Sequence, residues 1–266
     1  MLKAVWDGDI LCYQVGFAAE AYWRYMLEEK GEEYYPPPWN VVEGMLENRM
    51  ANSHGITESE LYKIFLSSST NFRNDISTTG YKKRSGGKPF HYKNIRETLK
   101  GVYGAIEVEG LEADDLMAIE GVSDPDNTII IGADKDLLQV PCWHYLYEYG
   151  RVPSFGPIRV EGYGKIWNDK KLRGYGTKFF LAQCIMGDSV DSIIGIPKHG
   201  PAKAVKLLEG TETYEEGLEI VIDAYKETYG EEGETKLLEN GRLLFMTREL
   251  DEDNNPVLWS IDWREK

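Results

Sequence analysis

The chain has 266 residues, 42% of them hydrophobic, which is enough to bury a sizeable core and excludes an intrinsically disordered chain. No run of about 18 apolar residues occurs, and the N-terminal MLKAVWDGDIL turns acidic too soon for a secretory leader, so a soluble, cytoplasmic protein without a membrane partner is expected. A formal net charge of −15 argues at first against a polyanionic partner, and three widely separated cysteines, Cys12, Cys142 and Cys184, without CxxC spacing, indicate neither a disulfide framework nor a zinc site.

In chain order, KAVW (residues 3–6) predicts a strand, residues 10–29 a helix, PPPW (36–39) a turn and residues 41–51 a second helix. A second strand, LYKIFL (61–66), leads into a basic segment. Residues 72–100 hold eight Lys or Arg against Asp75 and Glu97, a balance of +6 that leaves −21 for the remainder. The STTG and SGG elements there predict a mobile, arch-like excursion rather than core. YGAIEV (103–108), NTIII (127–131) and YLYEY (145–149) predict further strands, with the helix EADDLMAIEG between the first two. Strands alternating with helices imply a parallel-type central sheet flanked by helices, an α/β class, over residues 1–170. Beyond Gly174 the pattern is helical to the end, which assigns 171–266 to a helical region. A second basic stretch runs from Lys198 to Lys206, while residues 209–240 carry eleven acids against two lysines, so charge is sorted along the chain as in proteins that face a polyanion.

Acids gather at four places: VWDGD (Asp7, Asp9), LEADD (Glu112, Asp114, Asp115), IIIGADKD (Asp134, Asp136) and IMGDSVD (Asp188, Asp191). Any one of them reads as a helix cap, LEADD above all. In an open parallel sheet, however, acids that follow strands fall on one carboxyl edge, where they repel each other unless cations sit among them. Oxygen-only donors, with four scattered histidines at 54, 91, 144 and 199, favour Mg²⁺ or Mn²⁺ over zinc. Two such ions about 4 Å apart would activate a water and stabilise the leaving oxygen of an in-line phosphodiester displacement.

LEADDLMAIEG, IIIGADKDLLQ and AQCIMGDSVDSIIGIPKHGPAKAVKLL, in this order and spacing, resemble the 5′-nuclease family: phage 5′ exonucleases, flap endonucleases and the 5′ nuclease domain of DNA polymerase I. The resemblance runs from Val5 to about Leu208 and is nearest to a stand-alone phage-type member. It implies a PIN-like 5′-nuclease core followed by a helix-hairpin-helix motif. Two metal ions would be held by Asp7, Glu112, Asp114, Asp115, Asp134, Asp136, Asp188 and Asp191, with Asp7, Asp114 and Asp134 central to catalysis. The hairpin GIPKHGPAKA would bring Gly195, Gly200 and Lys203 to the duplex backbone, with a potassium ion in many members. Arg73, Tyr81, Lys82, Lys83 and Arg84 match the family's basic arch, where Arg73, Lys82 and Arg84 would offset charge on the scissile phosphate and Tyr81 would stack on a base. The implied activity is 5′ to 3′ exonuclease or flap endonuclease cleavage of double-stranded or 5′-flapped DNA, or of RNA in RNA–DNA hybrids, by a monomer in the cytoplasm, that of a host if phage-encoded.

Three departures stand out. Ser68 occupies a position where many members carry an Asp, Lys198 and His199 replace the glycine-rich hairpin, and Arg84 lies one residue closer to Tyr81-Lys82 than in the polymerase relatives. Two other readings use parts of the same pattern. VWDGDIL also resembles the first DxD motif of haloacid dehalogenase phosphatases, and the hairpin with the basic segment would suit a non-catalytic DNA-structure binder.

Overall fold

The computed structural model describes residues 1–82 and 86–264 and divides into two compact units. Among the described residues the first takes Met1–Ser69, 86–134 and Trp143–Ile158; the second takes residues 70–82, Lys135–Cys142 and the chain from Arg159 on. The division differs from the single boundary expected at residue 170. It cuts through GADKD, leaving Asp134 in the first unit and Asp136 in the second.

In the first unit β1 (Leu2–Asp7) passes into helix α1 (Gly8–Lys30) with no loop. Asp7 is the N-cap, its side chain accepting the Ile10 N–H at 3.0 Å. Gly8 is dictated by close approach, since a Cβ there would lie 2.7 Å from the Phe65 carbonyl oxygen. α1 buries Leu11, Cys12, Val15 and Ala19, one face at helical spacing, and ends at left-handed Gly31. Then follow α2 (Trp39–Thr57), β2 (Ser59–Leu66), α3 (Tyr92–Gly101), β3 (Ile106–Glu107), α4 (Ala113–Ser123), β4 (Thr128–Gly132), β5 (Trp143–Leu146) and β6 (Phe155–Arg159). The sheet order is β3-β2-β1-β4-β5-β6, with β1 to β5 paired in parallel, as the α/β class requires. β4 is buried along its whole length, which is why its sequence is a continuous apolar run rather than an alternating one. β3 keeps two of six expected residues because it is an edge strand with one neighbour. The chain moves outward from β1 to β2 and β3 and then returns to the other side as β4. Strand order therefore reverses between β1 and β4, which opens the crevice where ligands bind in such sheets.

Much of the expected mobile excursion is packed. α3 lies against α1 with Ile95 and Leu99 fully buried, an i, i+4 apolar stripe inside the charged run YKNIRETLKG. The apolar pair outweighed the turn signals around it.

The second unit opens with an antiparallel hairpin, β7 (Lys165–Asp169) and β8 (Lys171–Tyr175), followed by helices α5 (Thr177–Met186), α6 (Pro201–Leu207), α7 (Tyr214–Tyr229) and α8 (Gly233–Leu244). α5 is buried on almost every side, from Phe179 to Ile185 without a break, as a helix apolar all round must be. The stretch beyond Leu244 departs from the expected helix and is anchored by Trp259, whose indole N–H donates to Tyr214 OH at 2.9 Å. No helix among the described residues is long and apolar enough to cross a membrane.

Arg73 and Tyr81 belong to this unit's interior, which corrects the phosphate and base contacts expected of them. Arg73 is 1% exposed, and its guanidinium donates to the carbonyls of Leu243 at 3.0 Å and Phe245 at 2.9 Å, at the end of α8. Those are the orphan acceptors every helix C-terminus leaves. Tyr81 packs in the core with Phe179 and Leu181. Replacing Arg73 by Met should therefore lower stability by about 2–4 kcal/mol, the cost of stranding two buried carbonyls, read from the urea midpoint; an unchanged midpoint would put the guanidinium in water.

Candidate active site

The sheet's carboxyl edge carries the first group of acids. Asp7 closes β1 and is 3% exposed; Asp134 follows β4, the parallel neighbour in which Ile131 pairs with Trp6. Burial, then the charge of Asp9 and, more weakly, that of Asp134, push the Asp7 carboxyl up to about 7. The Ile10 amide opposes that shift without overcoming it. Asp134 and Asp114 are half-buried and so reach water.

Asp9 is fully engaged elsewhere. Its Oδ2 accepts the Ser67 N–H at 2.7 Å, and its Oδ1 accepts from Arg96 at 2.8 Å. Arg96 also donates to the Ser67 carbonyl at 2.6 Å and to Glu107 at 2.8 Å, forming a clasp between α1, α3 and the ends of β2 and β3. The phosphatase reading needs this aspartate free to meet a substrate, and both of its oxygens are instead bonded within the fold. Arg96 was not singled out in the sequence; an arginine within an amphipathic helix looks like any solvated charge.

Glu112 and Asp115 form a reciprocal capping box at the start of α4, with the Glu112 N–H donating to Asp115 at 3.4 Å. Ser67 Oγ accepts the Ala113 N–H at 3.0 Å, and Ser68 Oγ accepts the Gly110 N–H at 3.1 Å. Ser68 thus pins the loop that delivers Glu112.

In the second unit Asp136 and Asp188 share one ammonium. Lys135 Nζ donates to Asp136 Oδ1 at 2.6 Å and lies 3.4 Å from Asp188 Oδ2. Gln183 in α5 donates to Asp136 at 2.7 Å, while the Val190 amide donates to Asp188 Oδ1 at 2.7 Å. The Lys82 N–H donates to the Asp191 carbonyl at 3.1 Å, with Lys82 itself in the left-handed region at φ 47°. Lys135 and Gln183 were missed in the sequence, although a lysine between two motif acids and a lone glutamine in a buried helix were the available signals. Lys83 and Arg84 lie outside the described residues.

The turn from α5 to α6 encloses a cleft of about 610 Å³ lined by Ile193 to Gly200 together with Thr79. Gly195 is buried, and a Cβ there would lie 2.3 Å from the Gly187 nitrogen. Gly200 and Lys203, at the start of α6, are exposed.

Among the described residues no three His, Cys, Asp or Glu side chains close into a formed metal site. The donor chemistry nevertheless fits a hard divalent cation. The donors in both units are carboxylate oxygens, Asp7 is raised by burial and then by its acidic neighbours, and Asp136 and Asp188 already share a monovalent cation.

The chain is 30% identical over 181 residues to DNA polymerase I of Rhizobium leguminosarum, covering 64% of this chain and 17% of that protein. It is 26% identical over 213 residues to a 5′-3′ exonuclease of Buchnera aphidicola, covering 76% of this chain and 68% of that one. No family model matches. The structure aligns with the T5 5′-exonuclease bearing divalent zinc at a TM-score of 0.53 and 16% identity, over 92% of this chain and 87% of that one, a likeness of fold. The chain thus has a DNA polymerase I and a 5′-3′ exonuclease among its sequence relatives, and it shares the fold of the T5 5′-exonuclease. It spans about a sixth of the polymerase relative's length.

The raised Asp7 has a direct consequence. An unfolded Asp titrates near 3.8 and the folded one near 7, so between those values the folded chain keeps a proton that the unfolded chain releases. Stability contributed by this group is therefore present at low pH, falls as pH rises through that window, and levels off above it. Asp7→Asn, which retains the cap oxygen, should flatten the fall and stabilise the chain at pH 8 in EDTA by up to about 4 kcal/mol. Urea unfolding from about pH 4.5 to 8 reads this; parallel curves for the two proteins would return Asp7 to an ordinary carboxyl.

Proposed function

We propose that the chain hydrolyses DNA phosphodiesters from the 5′ end, as a 5′ to 3′ exonuclease or flap endonuclease, with Mg²⁺ or Mn²⁺. The observation that carries this is the buried Asp7 beside Asp134 at the point where strand order reverses, its carboxyl pushed up to about 7 by burial and the nearby acids. Asp7, Asp114 and Asp134, with Glu112 and Asp115, are the proposed ligands in the first unit; Asp136, Asp188 and Asp191 are those in the second. Two bound cations would supply an activated water and charge neutralisation at the leaving oxygen.

The chain's own residues contribute positioning. Asp7 is held by the Ile10 amide, and Ser67 and Ser68 fix the loop that presents Glu112. Gln183 orients Asp136. Lys82 is proposed to meet substrate phosphate, and Gly200 and Lys203 the duplex backbone, through the amides and charge at the start of α6.

The test is digestion of a 5′-labelled duplex and a 5′-flap substrate with Mg²⁺ or EDTA, sizing the products. Mononucleotides indicate exonuclease action and flap-length fragments endonuclease action. Asp134→Ala should lower cleavage about 10³-fold, the several kcal/mol that a bound cation supplies, while DNA binding stays within a few-fold. Wild-type cleavage by that variant, or cleavage that persists in EDTA, would overturn the metal assignment.

A further inference from the structure

The β7–β8 hairpin is a strongly cationic ribbon in the second unit, and nothing in the proposed chemistry uses it. Its sequence, KIWNDKKLRGY, carries Lys165, Lys170, Lys171 and Arg173 against Asp169, in a chain whose net charge is −15. The register sorts its side chains by face. Lys165 pairs with Tyr175, Trp167 with Arg173 and Asp169 with Lys171, so these six share one face, while Ile166 pairs with Gly174 and Asn168 with Leu172 on the other. Leu172 and Ile166 pack into the unit's core, which fixes the odd-numbered set as the outward one. A one-residue slip would exchange the two faces, so burial of Leu172 enforces the arrangement.

The outward face thus sets a cation opposite a ring at two of its three rungs, with Asp169 opposite Lys171 at the third. Trp167 is 38% exposed, its ring edge-on to Tyr175 at 6.4 Å, and Lys165 lies over the Tyr175 ring at 5.6 Å. At the tip, Lys170 adopts the left-handed region at φ 56°, and Lys170 and Lys171 line a cleft of about 370 Å³ together with Lys135, Asp188 and Pro201. A tryptophan that keeps part of its ring in water beside lysines suits a polyanion that also has flat apolar faces. A duplex hides its base faces; an unpaired strand presents them.

We propose that the β7–β8 hairpin is a contact surface for an unpaired stretch of nucleic acid, which stacks a base on Trp167 and lays its phosphates on Lys170, Lys171 and Arg173. This rests on the nuclease reading only in taking nucleic acid as the ligand; it assigns no step of cleavage to the hairpin.

The test is fluorescence anisotropy in EDTA, where hydrolysis is suppressed, with a labelled blunt duplex and the same duplex bearing a single-stranded overhang. Trp167→Ala should weaken binding of the overhang substrate about ten-fold, the loss of one stacked base, and leave the blunt duplex unchanged, while Trp167→Phe retains most of the affinity. The pair Lys170→Ala and Lys171→Ala together should lower the salt slope on the overhang substrate by about 1.4, two single-strand phosphate contacts. Equal effects of Trp167→Ala on both substrates, or none on either, would overturn the stacking assignment, and an unchanged slope the phosphate contacts. Melting temperatures within a degree or two of wild type separate these results from misfolding. If wild type binds neither substrate, the nuclease reading itself falls, and this surface with it; binding that the hairpin variants leave intact removes the hairpin alone.

Discussion

Carboxylates gathered where a parallel sheet ends repel one another, and most of the polar architecture of this chain answers that repulsion. Asp7 is the extreme case. β1 turns into α1 without a loop because Gly8 permits close approach to Phe65, and that economy buries Asp7 beside Asp9 and near Asp134. The amides of Ile10 and Asp9 oppose the upward shift without cancelling it. A buried acid in this condition either holds a proton or needs a cation.

The remaining acids show other remedies. Asp9 is neutralised by Arg96, which simultaneously ties three elements together, so its charge is consumed in structure. Glu112 and Asp115 satisfy each other's neighbouring amides at a helix start. Asp136 and Asp188 are bridged by Lys135, an internal monovalent cation on a tether. Capping and metal binding are thus not competing explanations for these acids: a capping carboxylate spends one oxygen on an amide and keeps lone pairs for another partner. The same economy governs the cations. In a chain of net charge −15, the β7–β8 ribbon sets Lys165, Lys171 and Arg173 on a single face.

Much of the framework was legible before any coordinates. NTIII announced a buried central strand because only a strand covered on both faces is apolar at every position. LEADD announced a helix start, and the VWDGD and GADKD acids fell at the carboxyl ends of neighbouring strands as expected. The basic segment was misjudged because STTG and SGG are strong local signals, whereas Ile95 and Leu99 gain their weight only from α1 lying opposite. Arg73 was misjudged for a related reason. A surface arginine and one donating to the end of a helix 170 residues away have the same local sequence.

What the sequence by itself determined was the order of the strands from β1 to β5 and the placement of acids after them. These depend on periodicity and spacing, which are local. Only the tertiary structure decided which acid is buried enough to hold a proton, which is spent on Arg96, which shares Lys135, and which side of the β7–β8 ribbon faces outward. Those outcomes depend on dielectric and on distances between residues far apart in the chain, and a one-dimensional pattern carries neither.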